Sequence, residues 1–421
     1  MTEERNWAGN YLYSANKIYY PETVEQVQEL VKKVAKVRAL GSRHSFNGIA
    51  DSPDTLISLQ NMPANISFDP ENRTVTVAGG VKYGELGKAM HARGFALHNL
   101  ASLPHISVAG ACATATHGSG VQNGNLATGV SALEIITANG ELKSLSKERD
   151  GERFHGAVVG LGALGVVTKL TLDMEPTFDV RQDVYENLPF SQLETHFDEI
   201  ISSANSVSLF TDWRDENFDQ VWLKSRISDG FDYDDKRSFF GASPATSPIH
   251  PIRNEPAESC SQQLGVPGPW HERLPHFRMD FTPSSGEELQ SEYFVPRELG
   301  LEAIRAVFSL SAQISPLLQI SEVRTIAADS LWMSPCYRQD SLAIHFTWKK
   351  DWASVEKLLP LIETSLAPFD ARPHWAKLFT MPPRKLRTLY TRLPDFAELL
   401  TTLDPDQKFR NIFLESRLFS G

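Results

Sequence analysis

Apolar residues recur at Val24, Val27, Leu30, Val31 and Val34 within the stretch PETVEQVQELVKKVAK. One stripe at that spacing predicts an amphipathic helix, with Pro21 at its first helical position. The period then shortens from helical to alternating. A strand is expected through Arg38 and Leu40, and further strands in TLISL, ANISFD and RTVTVAGG, with a turn at Asp69-Pro70-Glu71-Asn72. Residues 83–93 return to a helical pattern that Gly94 is suited to end. ALEIITANGELKSLS reads as a hairpin, with Asn139-Gly140 matching a type I′ turn. Up to Pro176 the chain is a mixed α+β unit, taken as a first domain, 1–176.

After Glu175-Pro176 tryptophan and phenylalanine become frequent. Residues 228–269 are rich in Pro, Ser and Asp with little periodicity, so long loops are expected there. Two strands stand out beyond them. In QISEVRTIA, alternation puts Glu322 and Arg324 on one face. In SLAIHFTW it puts His345 and Thr347 on one face and Ile344, Phe346 and Trp348 on the other. An internal salt bridge or a solvated face would explain such pairs equally well. RPHWAKLF predicts a helical turn placing His374 and Lys377 on one face after Pro373. LDPDQKFRNIF predicts a turn and an extended segment. The expected organisation is a second domain, 177–378, and a segment, 379–421, that returns to the first.

Composition narrows the function. The 421 residues with 41% hydrophobic content support sizeable cores, and a formal net charge of -11 without a Lys/Arg run argues against nucleic acid. Cys112, Cys260 and Cys336 are far apart and odd in number, which fits neither a disulfide framework nor a CxxC zinc site. The first residues lack the apolar core of a signal peptide, and residues 157–167 are too few to span a bilayer. A cytoplasmic monomer with small-molecule partners and no membrane is expected.

GLGALG at 160–165 matches G-x-G-x-x-G, but that fingerprint needs a strand before it and a helix after it. Here ERFHGAVV before it has a helical pattern and VVTKLTLDM after it a strand pattern. The order is reversed, so close backbone contact at a helix-to-strand turn is the better reading. SLPHISVAGACATATHGSG is a stronger cradle. Nearly every residue from 109 to 120 is small, so backbone N–H groups can approach a phosphate, and Thr114, Thr116 and Ser119 add hydroxyls. A buried small-residue crossover would look the same. His44, His98, His105 and His117 lie in or near these loops, yet neither H-E-x-x-H nor G-x-S-x-G occurs. No metal is expected. The row of Ser, Thr, Glu, Arg, His and Lys farther on suits a neutral substrate with several hydroxyls, each needing partners once buried.

GSRHSFN, ASLPHISVAG, ATHGSG, LGALGVVT, HERLPHFR, SEVRT, HFTW, RPHWAKLF and KFRN together resemble the bacterial alditol (xylitol) oxidases of the vanillyl-alcohol oxidase group of flavoproteins. The likeness runs in the same order over nearly the whole chain outside residues 228–257. It implies an α+β flavoprotein of two domains, with a vanillyl-alcohol-oxidase-type FAD-binding domain and a cap on a large antiparallel sheet. It implies FAD held covalently by His44. Gly41, Ser42, Arg43, Ser45, Ser102, Ser107, Gly110, Thr114, Ala115, Thr116 and His117 would line the cofactor. Gly165, Val166 and Val167 would reach it through backbone atoms, and His374 would sit near its ring system. Ser102, Glu322, Arg324, Thr347 and Lys377 would hold a polyol such as xylitol or sorbitol, with Lys377 the first candidate base, His345 a rival, and Glu322 an orienting group. The implied reaction converts a terminal CH2–OH to an aldehyde while O2 becomes H2O2. An aldonolactone oxidase is the nearest alternative, and a flavin-binding protein without oxidase activity a more distant one.

Overall fold

Alternating stretches in the first third of the chain become a five-stranded antiparallel sheet in the computed structural model, which describes residues 4–227, 238–281 and 287–419. Its strands lie in the order Ile66–Asp69, Thr74–Ala78, Val166–Asp173, Val130–Ile136, Leu142–Ser146. Beside it, a small parallel sheet places Thr55–Ile57 between Lys17–Tyr19 and Val37–Ala39. The helix Val24–Lys33 buries Val27 and Val31 against Val37, Ile57, Ile136 and Val166, as its stripe predicts. Its start differs from expectation. Thr23 caps the helix and accepts from Gln26 N–H, so Pro21 stays outside.

The expected type I′ turn is absent as well. Gly140 is left-handed at φ +78°, but Asn139 is not. Asn139 instead uses its side-chain oxygen, accepting from Glu141 N–H and from Thr137 Oγ1, so its own backbone can remain right-handed.

The second half builds a nine-stranded antiparallel sheet around Asp179–Pro189, Asn217–Ile227, Ser206–Thr211, Leu318–Ile326, Ser341–Lys349 and Glu288–Pro296, in that spatial order. Val323, Ile344, Phe346 and Trp348 point to one face, where they form one core with Ile304 and Val307 of the helix Gly300–Phe308 and Val355, Leu359 and Ile362 of the helix Trp352–Leu366. The opposite face carries Glu322, Arg324, His345 and Thr347, all buried. The α+β expectation with a large antiparallel sheet therefore holds. Of the loop-rich stretch, residues 228–237 lie outside the described residues; the rest contributes two short strands, Ser243–Pro244 and Gly268–Pro269, that edge Asp179–Pro189.

Two local expectations are corrected. His374 and Lys377 do not share a helix. Residues 374–377 form a turn after the two-residue strand Arg372–Pro373, closed by Lys377 N–H on the His374 carbonyl. His374 N–H and Leu378 N–H are bound instead by the carbonyls of Glu292 and Gln290, so the sheet edge wins over helix geometry. LDPDQKFRNIF keeps its expected turn, but its last two residues are helical rather than extended, entering a helix over 412–419 that Asn411 caps. Asn411 also donates to the carbonyls of Gly48, Ile49 and Asp51, and Phe409 lies in the core beside Val27 and Val37. Among the described residues, no helix is long and apolar enough to cross a membrane.

Candidate functional site

The His44 loop leaves the strand Val37–Ala39 and turns at Arg43, whose φ of +65° is left-handed. That turn lets the Arg43 carbonyl accept from Trp7 N–H, and the Trp7 ring stacks on His44 at 5.4 Å between centroids. Phe46 N–H then donates to the Ala376 carbonyl, and the Asn47 side chain donates to those of Trp375 and Lys377. The histidine loop and the 374–377 turn are thus one hydrogen-bonded unit, although distant in sequence.

Both ring nitrogens of His44 are buried without a hydrogen-bond partner of normal geometry. Burial, then the nearby His105, pushes its pKa down to about 4, so the imidazole is neutral and its free nitrogen nucleophilic. Ser107 Oγ is likewise buried and unpaired. A Cβ on either Gly41 or Gly110 would stand 2.8 Å from it, which is why small residues are required around it.

From this loop a single cavity of about 1320 Å³ runs to the large sheet. Pockets for one small ligand are roughly 300–1,000 Å³, so this one has room for a dinucleotide and a small substrate together. Its end at the His44 loop is lined by Gly41, Ser42, Arg43, His44, Ser45, Ser107, Gly110, Thr114, Thr116 and His117. Its sheet end is lined by Ser102, Glu322, Arg324, His345, Thr347, His374 and Lys377. Four expected cofactor residues are elsewhere. Ala115 is buried in a left-handed turn at φ +55° and does not line the cavity. Gly165 sits where any Cβ would meet the Ile136 carbonyl at 2.3 Å, and Val166 and Val167 pair with Ile136 and Ile135 inside the five-stranded sheet. From the same GLGALG stretch, Leu161 and Gly162 line the cavity instead. The helix Glu152–Val158 precedes that stretch and the strand Val166–Asp173 follows it, the reverse of a Rossmann turn.

Strand register assembles the polar wall. Glu292, His345 and Glu322 lie opposite one another across three neighbouring strands, with Gln290 opposite Thr347 on the next rung of the same face. Glu292 is fully buried. Its Oε2 is 2.7 Å from Lys377 Nζ, and its Oε1 is 2.6 Å from Arg324 Nη2 and 3.3 Å from His117 Nε2. Burial alone would raise the Glu292 pKa, but Lys377, His117 and Arg324 together hold it well below the usual carboxylate range. Burial also lowers the pKa of Lys377, and Glu292 only partly offsets this.

Glu322 is bound by His276, Nε2 to Oε1 at 2.7 Å, and flanked by Arg324 Nε at 3.5 Å. Gln290 donates from Nε2 to Glu288 Oε1 at 2.6 Å, which turns its amide oxygen to His345 Nε2 at 3.1 Å. His345 must then donate from Nε2, leaving Nδ1 unprotonated, buried and without a partner. Burial and then Lys377 keep that ring neutral. His374 Nδ1 accepts from Ala376 N–H, which puts its proton on Nε2. His117, Glu292 and His374 offer ligand atoms within 4.8 Å of one another, but Lys377 and Arg324 already supply positive charge to the same carboxylate and oppose a cation there.

Glu292, Gln290 and His276 escaped the sequence reading. For the first two a signal existed: ELQSEYFV interrupts an apolar strand with polar residues two apart, as SEVRT and HFTW do. His276 lies in a loop without periodicity, so its only trace in the sequence was the HERLPHFR motif of the family resemblance.

A model described as an FAD binding domain matches residues 15–146, and one described as D-arabinono-1,4-lactone oxidase matches residues 284–417. An alditol oxidase of a Streptomyces species is 49% identical over 99% of both chains. An L-gulono-1,4-lactone dehydrogenase of Mycobacterium tuberculosis is 28% identical over 96% of both. The bovine L-gulonolactone oxidase is 25% identical over 98% of this chain and 97% of its own. With a full-length relative this similar, a matching FAD domain and a sheet-walled cavity reaching the His44 loop, the chain belongs to the alditol oxidases of the vanillyl-alcohol oxidase family of flavoproteins.

Proposed function

We propose that this chain oxidises the terminal CH2–OH of a linear polyol, such as xylitol or sorbitol, to the aldehyde, with O2 reduced to H2O2 and FAD bound covalently through His44. The observation that carries the reading is the unbroken cavity from the unpartnered imidazole of His44 to the Glu322, Arg324, Thr347 and Lys377 wall. The residues fit the cofactor: a neutral buried imidazole, an unpaired Ser107 hydroxyl and a cradle that a Cβ at Gly41 or Gly110 would fill. When bound, FAD would supply the two-electron chemistry that links the alcohol to O2.

The chain's own residues do the rest. Glu322 accepts from polyol hydroxyls, Arg324 and Thr347 donate to them, and Ser102 can do either. His374 and His117, both beside Glu292 on the cavity wall, would border the flavin ring. Two groups can take the hydroxyl proton. Lys377 has its pKa lowered by burial, and His345 presents a neutral Nδ1. We assign residues 1–176 and the returning segment 379–421 to the cofactor half and 177–378 to the cap, on the strength of the Asn411 bonds to the 48–51 backbone. A cytoplasmic monomer is part of the same reading, and three buried free thiols support its cytoplasmic part.

The lactone oxidase match over residues 284–417 favours a second reading, oxidation of a cyclic aldonolactone. Peroxide release from xylitol or sorbitol, compared with release from an aldonolactone, separates them. Turnover of the lactone alone would reverse the assignment, and no peroxide from either would leave a flavin-binding protein.

A further inference from the structure

We propose that His276 is a positioning residue that sets two parts of the polyol wall at once, Glu322 through its imidazole and Ser102 through its backbone, and that Lys224 clamps the segment carrying it. The proposal rests on the reading of Glu322 and Ser102 as polyol contacts. His276 lies in HERLPHFR, outside every strand and helix, so nothing in regular secondary structure fixes it. Its backbone N–H and that of Phe277 donate to the Ser102 carbonyl at 3.0 and 3.2 Å. Its Nε2 lies 2.7 Å from Glu322 Oε1. Just before it, the carbonyls of Leu274 and Pro275 accept from Lys224 Nζ at 2.6 and 2.8 Å, and Lys224 is 1% exposed. Phe210 and Trp222 meet the imidazole edge-on at 5.7 and 5.2 Å. Phe210 is also the strand partner of Glu322, so ring, cage and carboxylate share one register.

The chemistry explains why a histidine stands here. Burial holds its pKa at about 4, so it donates Nε2–H as a neutral group and leaves the Glu322 charge in place. Arg324, the other neighbour, is committed to Glu292 at 2.6 Å and approaches only Oε2 of Glu322, at 3.5 Å. A neutral donor on Oε1 therefore fixes the carboxylate while its remaining lone pairs can accept from a substrate hydroxyl.

The test uses the flavin-loaded enzyme. His276→Phe keeps a ring in the Phe210–Trp222 cage and deletes the donor, whereas His276→Gln returns an N–H near the Nε2 position. His276→Phe should raise KM for xylitol roughly tenfold or more, the scale of a hydrogen bond to a charged group, with kcat and flavin content little changed, and should lower Tm because buried Glu322 loses its donor. Losing the donor should also move the acid limb of kcat/KM to higher pH, because Glu322 becomes easier to protonate. His276→Gln should restore both. If His276→Phe does not fold, His276→Gln against the shorter His276→Asn gives the same comparison. An unchanged KM and acid limb in His276→Phe, or a Gln variant no better than Phe or Asn, would overturn the proposal. A wild-type enzyme that turns over no polyol would instead defeat the reading of the site itself.

Discussion

Lys377 Nζ lies 2.7 Å from Glu292 Oε2, and the Glu292 side chain is wholly shielded from solvent. Arg324 holds the other oxygen, so one buried carboxylate balances two cations that face the cavity. Glu292→Gln should lower unfolding free energy by about 3–5 kcal/mol, the usual result of stripping a buried charge of its partner. The pH dependence follows from the sign of the shift. A carboxyl held below its unfolded pKa stabilises the fold above the ordinary carboxylate range, and that contribution is lost as pH falls through its depressed native value. Acid unfolding followed by circular dichroism should therefore be less steep in Glu292→Gln than in wild type.

Lys377→Met should cost less stability, because Glu292 keeps Arg324. If Lys377 takes the hydroxyl proton, kcat should fall about 100-fold or more and its rise with pH should disappear. Steady-state peroxide production across pH reads both. A variant that is flavin-loaded, folded and as fast as wild type would give the proton to His345.

Thr347→Ala removes one hydroxyl from the wall and should mainly raise KM, by about 0.5–1.5 kcal/mol for a neutral hydrogen bond. Flavin absorbance and Tm should stay at wild-type values. A fall in kcat with KM unchanged would mean the hydroxyl acts on the transition state instead.

Acid precipitation of the wild-type protein should carry the yellow colour into the pellet, and His44→Ala should release it to the supernatant. Colour wholly in the wild-type supernatant would rule out the covalent bond while leaving the cavity assignment intact.

GLGALG at 160–165 makes a separate prediction. With polyol present and O2 excluded, neither NAD nor NADP should be reduced, because the helix precedes this turn and the strand follows it. Absorbance of reduced nicotinamide is the measurement.

Much of this molecule was legible in one dimension, because side-chain period is a local property. Alternation alone put Glu322 with Arg324 on one face of their strand, and His345 with Thr347 opposite Ile344, Phe346 and Trp348 on theirs, and the structure keeps those faces. The stripe at Val27 and Val31 and the reversed order around GLGALG were equally local. Turn geometry was less so: Asn139 bonds through its side chain, and residues 374–377 follow a sheet edge rather than their own helical spacing. What only the tertiary structure decided is which charges meet. Glu292 lies 85 positions from Lys377 and 32 from Arg324, and His276 46 from Glu322. A buried charge is tolerated only where partners from other strands arrive to compensate it, and strand register, which no local pattern encodes, brings them there.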